Sequence, residues 1–371
     1  MEVGSESITM SNAFKDLYNK KFIRSLSDVL GGVYSDFDPE KLALLVFDKE
    51  WKHKELKQRM RHIACSLNAC LPEKYEDALA ILKPAAEQFS GIECLVFPDY
   101  VEVYGLGHYR KSITALEHFT KYSTSELAVR PFIIEYGDKM MAQMQRWAGS
   151  KNHHVRRLAS EGCRPRLPWA MALPEFKNDP APVLQVIEKL KSDESEYVRR
   201  SVANNLNDIS KDHPRITLTT AKQWHGHSVE TDRLIKHACR TLLKAGDKKI
   251  MRLFGYQNTS HIRLQKCKLS KRVNMGGDLE FEFMLGSTTK RGLGKLRIDY
   301  AIDFVRANGT RNRKVFRISD GDFPGKTKQV SKKHSFRKIT TRKYYPGKQG
   351  LSIIVNGTVL WEHEFSLMAH E

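Results

Sequence analysis

The string Val155-Arg156-Arg157-Leu158-Ala159 decides the fold, because the chain repeats it at a regular spacing. Related strings follow 43 and then a further 37 residues later, as Val198-Arg199-Arg200-Ser201-Val202-Ala203 and Ile235-Lys236-His237-Ala238-Cys239-Arg240. Periods of about 40 residues are typical of stacked helix pairs, since one pair cannot bury its apolar face alone. We therefore predict that residues 1–255 form an all-α solenoid of the HEAT-like or armadillo-like kind.

The last third of the chain has the period of β-strands instead. Leu279–Met284 alternates polar and apolar residues without a break, and His261–Leu269 alternates with one slip at Lys266. The pattern continues over Lys295–Phe304 and Leu351–Val355. Asn356-Gly357 then offers a two-residue hairpin turn. These runs predict that residues 256–371 form a small all-β immunoglobulin-like sandwich without a disulfide.

The charge of the protein points to a polyanionic partner. The 371 residues carry 62 Lys+Arg against 43 Asp+Glu, a formal charge of +19. Residues 256–371 alone hold 23 basic and 10 acidic side chains. Such an excess suits nucleic acid or an anionic membrane surface. No apolar run is long enough for a membrane span or a signal peptide, so we expect a cytoplasmic protein.

Metal and cofactor chemistry is not expected. The six cysteines lack the short spacing of a zinc site and favour reduced thiols. His225 and His227 lack a third ligand at a credible spacing, as do His153 and His154.

Each repeated string carries a basic residue or a basic pair at the same position. On one side of a solenoid these cations would form a ladder that suits a phosphate backbone, which makes Arg156, Arg199, Arg200 and Lys236 candidate DNA contacts. Alternatively, the arginines pack between repeats and pair with neighbouring carboxylates. The periodicity alone does not choose between the two interpretations.

Three longer strings resemble a known family. Ser125–Phe132, His153–Trp169 and Tyr197–Pro214 are similar to the AlkC family of DNA alkylation-repair glycosylases. The resemblance covers most of residues 10–255 and is strongest from 120 to 245. Members of this family are HEAT-like solenoids, and one branch carries an immunoglobulin-like domain after the solenoid.

The resemblance implies a function and a set of site residues. It implies excision of cationic N-alkylated bases, chiefly 3-methyladenine, from double-stranded DNA without base flipping. Glu126 and Asp208 match the catalytic carboxylates, Arg157 matches a phosphate-holding cation, and Trp169 matches an aromatic residue near the lesion. Lys236 stands where arginine is common, which puts a bidentate phosphate contact there in doubt.

The chemistry is reasonable for these residue types. A methylated purine is already a cationic leaving group, so the enzyme must chiefly stabilise a sugar cation and orient a water molecule. Carboxylates do both. Other interpretations remain open, since Ser123–Glu126 has the spacing of a helix capping box, Asp208 could serve a turn, and Trp169 could simply pack in a proline-rich connection.

The β domain adds an electrostatic expectation. Arg306–Lys314 forms a basic loop around a turn, and Lys326–Lys348 is a second cationic stretch. We expect both to help hold DNA. We also expect a monomer without an obligate protein partner. The alternative function is a non-catalytic HEAT-repeat scaffold that binds nucleic acid without chemistry.

Overall fold

The computed structural model describes residues 14–339 and 342–369. Helices fill its first two thirds: α1 Lys20–Val33, α2 Pro39–Val46, α3 Leu56–Asn68, α4 Tyr75–Ala86, α5 Val96–Tyr104, α6 Tyr109–Phe119, α7 Val129–Trp147, α8 His153–Gly162, α9 Pro174–Asn178, α10 Ala181–Leu190, α11 Glu196–Ile209, α12 Pro214–Trp224, α13 Val229–Ala238, α14 Arg240–Ala245 and α15 Lys248–Leu253. In this described part no helix is long and apolar enough to cross a membrane.

The helices pack against their neighbours in the chain, as stacked repeats require. The repeated strings fall on α8, α11 and α13, and α11 packs against both of the others. Each string places its apolar residues inward, and Val155, Val198 and Ile235 are fully buried. The predicted helical array is confirmed for this part of the chain.

Two local features of the array lie on either side of the first repeated string. Helix α7 bends at Gly137, whose backbone angles lie outside the helical range (φ 42°, ψ −120°). After α8 the chain runs without regular structure from Cys163 to Leu173 before α9 begins. We name residues 163–173 the α8–α9 loop.

The β part consists of eight strands in the described residues: β1 Ile262–Leu269, β2 Arg272–Asn274, β3 Asp278–Ser287, β4 Gly294–Val305, β5 Arg311–Phe323, β6 Thr327–Ser335, β7 Gly347–Val355 and β8 Thr358–Met368. One sheet has the order β1-β3-β6 and the other β2-β8-β7-β4-β5. Their inner faces share one core that includes Phe281, Phe283, Ile298 and Ile353. The immunoglobulin-like prediction is confirmed.

Two irregularities in the sequence pattern correspond to irregularities of the sheets. The slip at Lys266 is a β-bulge, since the pairing of β1 with β3 shifts between Gln265 and Lys268 and Lys266 has a φ of 51°. Asn356 and Gly357 form the predicted turn between β7 and β8, and both have positive φ.

The described residues form two compact units. One contains residues 14–217 and Gln223–Ala238, and the other contains Leu218–Lys222 together with residues 239–339 and 342–369. Helices α14 and α15 therefore belong to the compact unit of the strands. The contact between Gly246 and Gly357 lies within that unit, and a Cβ on Gly357 would lie 2.7 Å from the Cα of Gly246.

This contact leads to a stability prediction. Gly357→Ala should lower the free energy of unfolding by roughly 2–4 kcal/mol, because it combines a positive φ with a clash against backbone. Gly309 is the matched control, since it has the same φ of 75° but a Cβ there would meet open space. Gly309→Ala should cost only about 1 kcal/mol. Equal shifts in denaturant midpoint for the two variants would contradict the close approach at Gly246.

Candidate functional site

The candidate carboxylate Glu126 lies in the turn before α7 and pairs with Arg157 on α8. Its Oε2 accepts a hydrogen bond from the Thr124 hydroxyl at 2.8 Å and another from Nη1 of Arg157. Helix α7 begins at Val129 with Ala128 at its N-cap, without a side-chain cap. The capping-box interpretation of Ser123–Glu126 is therefore wrong, because Glu126 faces α8 rather than the start of its own helix.

Glu161 connects this pair to the second candidate carboxylate. Its Oε1 lies 3.6 Å from Nη2 of Arg157 and 2.5 Å from Nη1 of Arg164. Arg164 in turn donates from Nε to Oδ2 of Asp208 at 2.9 Å, and Lys211 pairs with Oδ1 of Asp208 at 2.9 Å. Three anions and three cations thus alternate in one chain of contacts, which we name the charge network: Glu126, Arg157, Glu161, Arg164, Asp208 and Lys211.

The charge network gives its buried charged groups partners of opposite charge, which offset the free-energy cost of burying them. Burial alone would lower the pKa of Arg157, but Glu126 and Glu161 outweigh it, so the pKa is raised. The same balance raises the pKa of Arg164, through Glu161 and Asp208. Both arginines therefore remain charged, and each holds one of the candidate carboxylates.

The two candidate carboxylates differ in exposure. The Glu126 side chain is 16% exposed, whereas that of Asp208 is only 2% exposed. Asp208 lies in the last turn of α11 and not in a turn between elements. Glu126 is thus the more accessible of the two carboxylates, whereas Asp208 is covered and pairs with Arg164 and Lys211.

Two partly exposed aromatic side chains lie in this part of the helical array, and one of them contacts the charge network. The Arg157 guanidinium lies over the ring of Tyr197, 4.9 Å from its centre, and Tyr197 is 44% exposed. Trp169, on the α8–α9 loop, is 47% exposed and has a positive φ of 65°. Trp169 packs in part, since its ring meets that of Phe14 edge-on with 6.5 Å between ring centres, and about half of the side chain stays open to solvent.

A buried arginine organises the loop that carries Trp169. Arg130 of α7 is fully buried and donates to the carbonyl oxygens of Gly162, Arg164 and Met171 at 2.6–2.9 Å. Burial lowers its pKa to about 10, which leaves it charged at neutral pH. Arg130 therefore ties the start of the loop to its end.

The ladder of cations is only partly available at the surface. Arg156 forms a bidentate pair with Asp193 at 2.6 and 2.9 Å, and Arg199 donates to the carbonyl oxygens of Asp193 and Glu194. Arg156 therefore pairs with a carboxylate of the next repeat, whereas Arg199 contacts the backbone just before its own helix. Arg200 is exposed, and Lys236 lies partly exposed on α13. A DNA-binding role for these four residues stays a prediction.

Sequence reasoning missed four residues of this region: Glu161, Arg164, Arg130 and Tyr197. The spacing of three and four residues places side chains on one side of a helix, and it separates Arg157, Glu161 and Arg164. An acidic residue between two arginines at this spacing predicts ion pairs. Arg130 stands among apolar residues of α7, which suggests burial but does not identify its partners. Among the described residues, no group of three or more potential ligands could hold a metal ion.

Comparison with known proteins agrees with this arrangement. A sequence profile described as "DNA alkylation repair enzyme" matches residues 87–240, and one described as "Uncharacterised protein YhaZ, C-terminal Ig-like domain" matches residues 263–369. The protein YhaZ of Bacillus subtilis (strain 168) is 49% identical over 347 residues, which are 93% of this chain and 96% of YhaZ.

A solved structure decides the family. The alkylpurine DNA glycosylase AlkC of Pseudomonas fluorescens, bound to DNA containing an abasic site analogue, superposes with a TM-score of 0.92 and 34% identity. The match covers 96% of this chain and 99% of that one. This chain belongs to the AlkC family. As an AlkC-family protein it has both the helical array and the immunoglobulin-like domain.

The charge network of this AlkC-family protein leads to a second stability prediction. Arg164→Met should lower the free energy of unfolding by about 3–5 kcal/mol, because Asp208 would keep only Lys211 as a partner while buried. Arg166→Met is the matched control. Its pair with Asp212 is more exposed, at 36% and 26%, and should contribute about 1 kcal/mol or less. Denaturant unfolding measures both, and similar losses would contradict a buried network.

Proposed function

We propose that this protein is a monofunctional DNA glycosylase that excises cationic N-alkylated bases, chiefly 3-methyladenine, from double-stranded DNA during base excision repair. The observation that carries the proposal is the charge network, in which two carboxylates from different repeats are each held by an arginine. Its residues lie in the region that resembles AlkC, whose solved structure is named as an alkylpurine DNA glycosylase bound to DNA with an abasic site analogue.

The proposed reaction needs little acid catalysis at the base, because the alkylated base is already a cation. The glycosidic C1′–N bond breaks, and its electron pair neutralises the positive charge of the alkylated base, which leaves as a neutral molecule. The sugar becomes an oxocarbenium-like cation. A carboxylate nearby stabilises that cation electrostatically, and Glu126 is the more exposed of the two candidates. A water molecule then adds to C1′ and gives up its proton, for which Glu126 is the nearest proposed base.

Arg157 and Lys211 connect DNA binding to the two carboxylates in this proposal. Both cations pair with a candidate carboxylate in the protein alone. DNA phosphates compete with the carboxylates for these cations. A cation that binds a phosphate instead neutralises its carboxylate less, so that the carboxylate stabilises the sugar cation more strongly. Lys211 is 41% exposed and could make this turn without repacking the core. Because its ammonium pairs with Asp208, we propose water rather than lysine as the nucleophile.

The site suits an approach from the outside of the duplex. Glu126 is partly exposed, Tyr197 lies at the surface against its partner Arg157, and Trp169 is half-exposed on the loop that begins just after α8. Such a surface can contact a sugar and its phosphates in bent DNA without enclosing the base, in contrast to enzymes that flip a base into a pocket. We therefore propose excision without base flipping, at chromosomal DNA in a bacterial cytoplasm.

The catalytic assignment predicts a loss of rate without a loss of binding. Glu126→Gln and Asp208→Asn should bind DNA but release 3-methyladenine at least about 100-fold more slowly in single-turnover assays, since each removes stabilising charge from the transition state. Asp212→Asn is the matched control one turn beyond Asp208, and it should retain the wild-type rate. Full activity of both site variants would refute the assignment. A wild-type protein that binds DNA and releases no base would favour the non-catalytic scaffold.

The immunoglobulin-like domain is proposed to bind the DNA backbone. Its turn between β4 and β5 begins with Arg306, and Lys314 follows on strand β5; both side chains are exposed. Replacing both with glutamine should weaken DNA binding and reduce the slope of log affinity against log salt by up to about 2, because each phosphate contact contributes about 0.9. A salt titration by fluorescence anisotropy measures this slope. An unchanged slope would remove this turn from the proposed interface.

A further inference from the structure

Trp169 occupies a backbone conformation that its own chemistry disfavours. A φ of 65° places it in the left-handed region, where a bulky aromatic residue is rare. Such strain persists only where the surroundings hold it in place, and it is common at functional sites. The indole is 47% exposed, and its ring meets the Phe14 ring edge-on with 6.5 Å between ring centres. A contact of the ring does not set the orientation of the peptide itself, whose carbonyl group needs a donor.

Arg130 holds the ends of the α8–α9 loop but not its tip. Its three carbonyl partners belong to Gly162, Arg164 and Met171, which flank Trp169 without including it. Two backbone hydrogen bonds also cross the loop, from Leu173 to Pro165 at 3.2 Å and from Ala170 to Leu167 at a weak 3.4 Å. These contacts close the loop and leave the carbonyl of Trp169 to another donor.

That donor is Lys57 of helix α3. Its Nζ lies 2.7 Å from the carbonyl oxygen of Trp169, a residue 112 positions further along the chain. Burial raises the pKa of the Asp99 and Glu102 carboxyls, whereas their ion pairs with Arg61 and, last, the nearby Lys57 ammonium lower it. The hydrogen bond of Lys57 joins helix α3 to the tip of the α8–α9 loop.

We propose that Lys57 is a positioning residue for Trp169: its ammonium group holds the left-handed peptide from which the half-exposed indole meets the damaged DNA. The inference rests on the proposed function, in which Trp169 contacts DNA near the lesion. Lys57 acts through Trp169 and needs no contact with the reacting atoms. Lys57 lies on an early helix, α3. The orientation of Trp169 would therefore depend on the packing of helices that are far apart in the sequence.

A double-mutant cycle tests this role against a simple phosphate contact. Lys57→Met should lower the single-turnover rate of base release about tenfold, and Lys57→Arg should restore most of it. In a Trp169→Ala background, Lys57→Met should cost almost nothing more, because its effect passes through Trp169. Lys52→Met, which removes another exposed lysine of the same region, controls for the loss of one surface charge. Independent losses at Lys57 and Trp169, with a salt slope lower by about 0.9, would overturn the proposal and make Lys57 a phosphate contact.

A spectroscopic measurement judges the same inference without any activity. The chain has five tryptophans, so 5-fluorotryptophan labelling gives five ¹⁹F resonances, and Trp169→Phe identifies the one from Trp169. In the protein without DNA, Lys57→Met should shift or broaden that resonance and leave the other four in place. Lys57→Arg should return it. An unmoved Trp169 resonance would refute the positioning role, whereas a wild-type protein that releases no base would refute only the proposed function.

Discussion

The ion pairing of Glu126 and Asp208 with arginines is the constraint on which the candidate site depends. A carboxylate that is to act beside DNA must be held close to phosphates that repel it, and the protein alone must not leave a buried charge without compensation. Alternating Glu126, Arg157, Glu161, Arg164, Asp208 and Lys211 meets both demands, because each anion has a cation within contact distance. Removing an interior member would take one partner from each of its neighbours, and the loss of Arg157 would leave Glu126 without a cation in the network.

The repeat architecture explains how these residues meet. Arg157 and Glu161 occupy one side of α8, Asp208 ends the equivalent helix of the next repeat, and α8 packs against α11. Arg164 lies just beyond α8, where the chain leaves the helix and can turn toward Asp208. The α8–α9 loop then brings Trp169 to the surface of the same region. Stacking of repeats, rather than nearness in sequence, assembles the site.

Much of the fold could be predicted, because local sequence patterns determine where its helices, strands and turns form. The repeated strings predicted three equivalent helices, and even single deviations had physical meaning, as the β-bulge at Lys266 and the turn at Asn356-Gly357 illustrate. The candidate site was harder to predict from the sequence. The resemblance named Glu126, Asp208, Arg157 and Trp169, but no local pattern reveals that Arg156 pairs with Asp193 while Arg157 pairs with Glu126. Contacts such as Lys57 to Trp169 join distant repeats, and only the packed structure identifies them.

The central claim is that this surface site cleaves a glycosidic bond and does more than bind DNA. The most direct test is mass spectrometry of the small molecules released when the wild-type protein acts on DNA containing 3-methyladenine, 7-methylguanine and 3-methylcytosine. The account predicts free 3-methyladenine as the main product, with abasic sites in otherwise unbroken strands. A protein that binds this DNA tightly and releases no free base would contradict it.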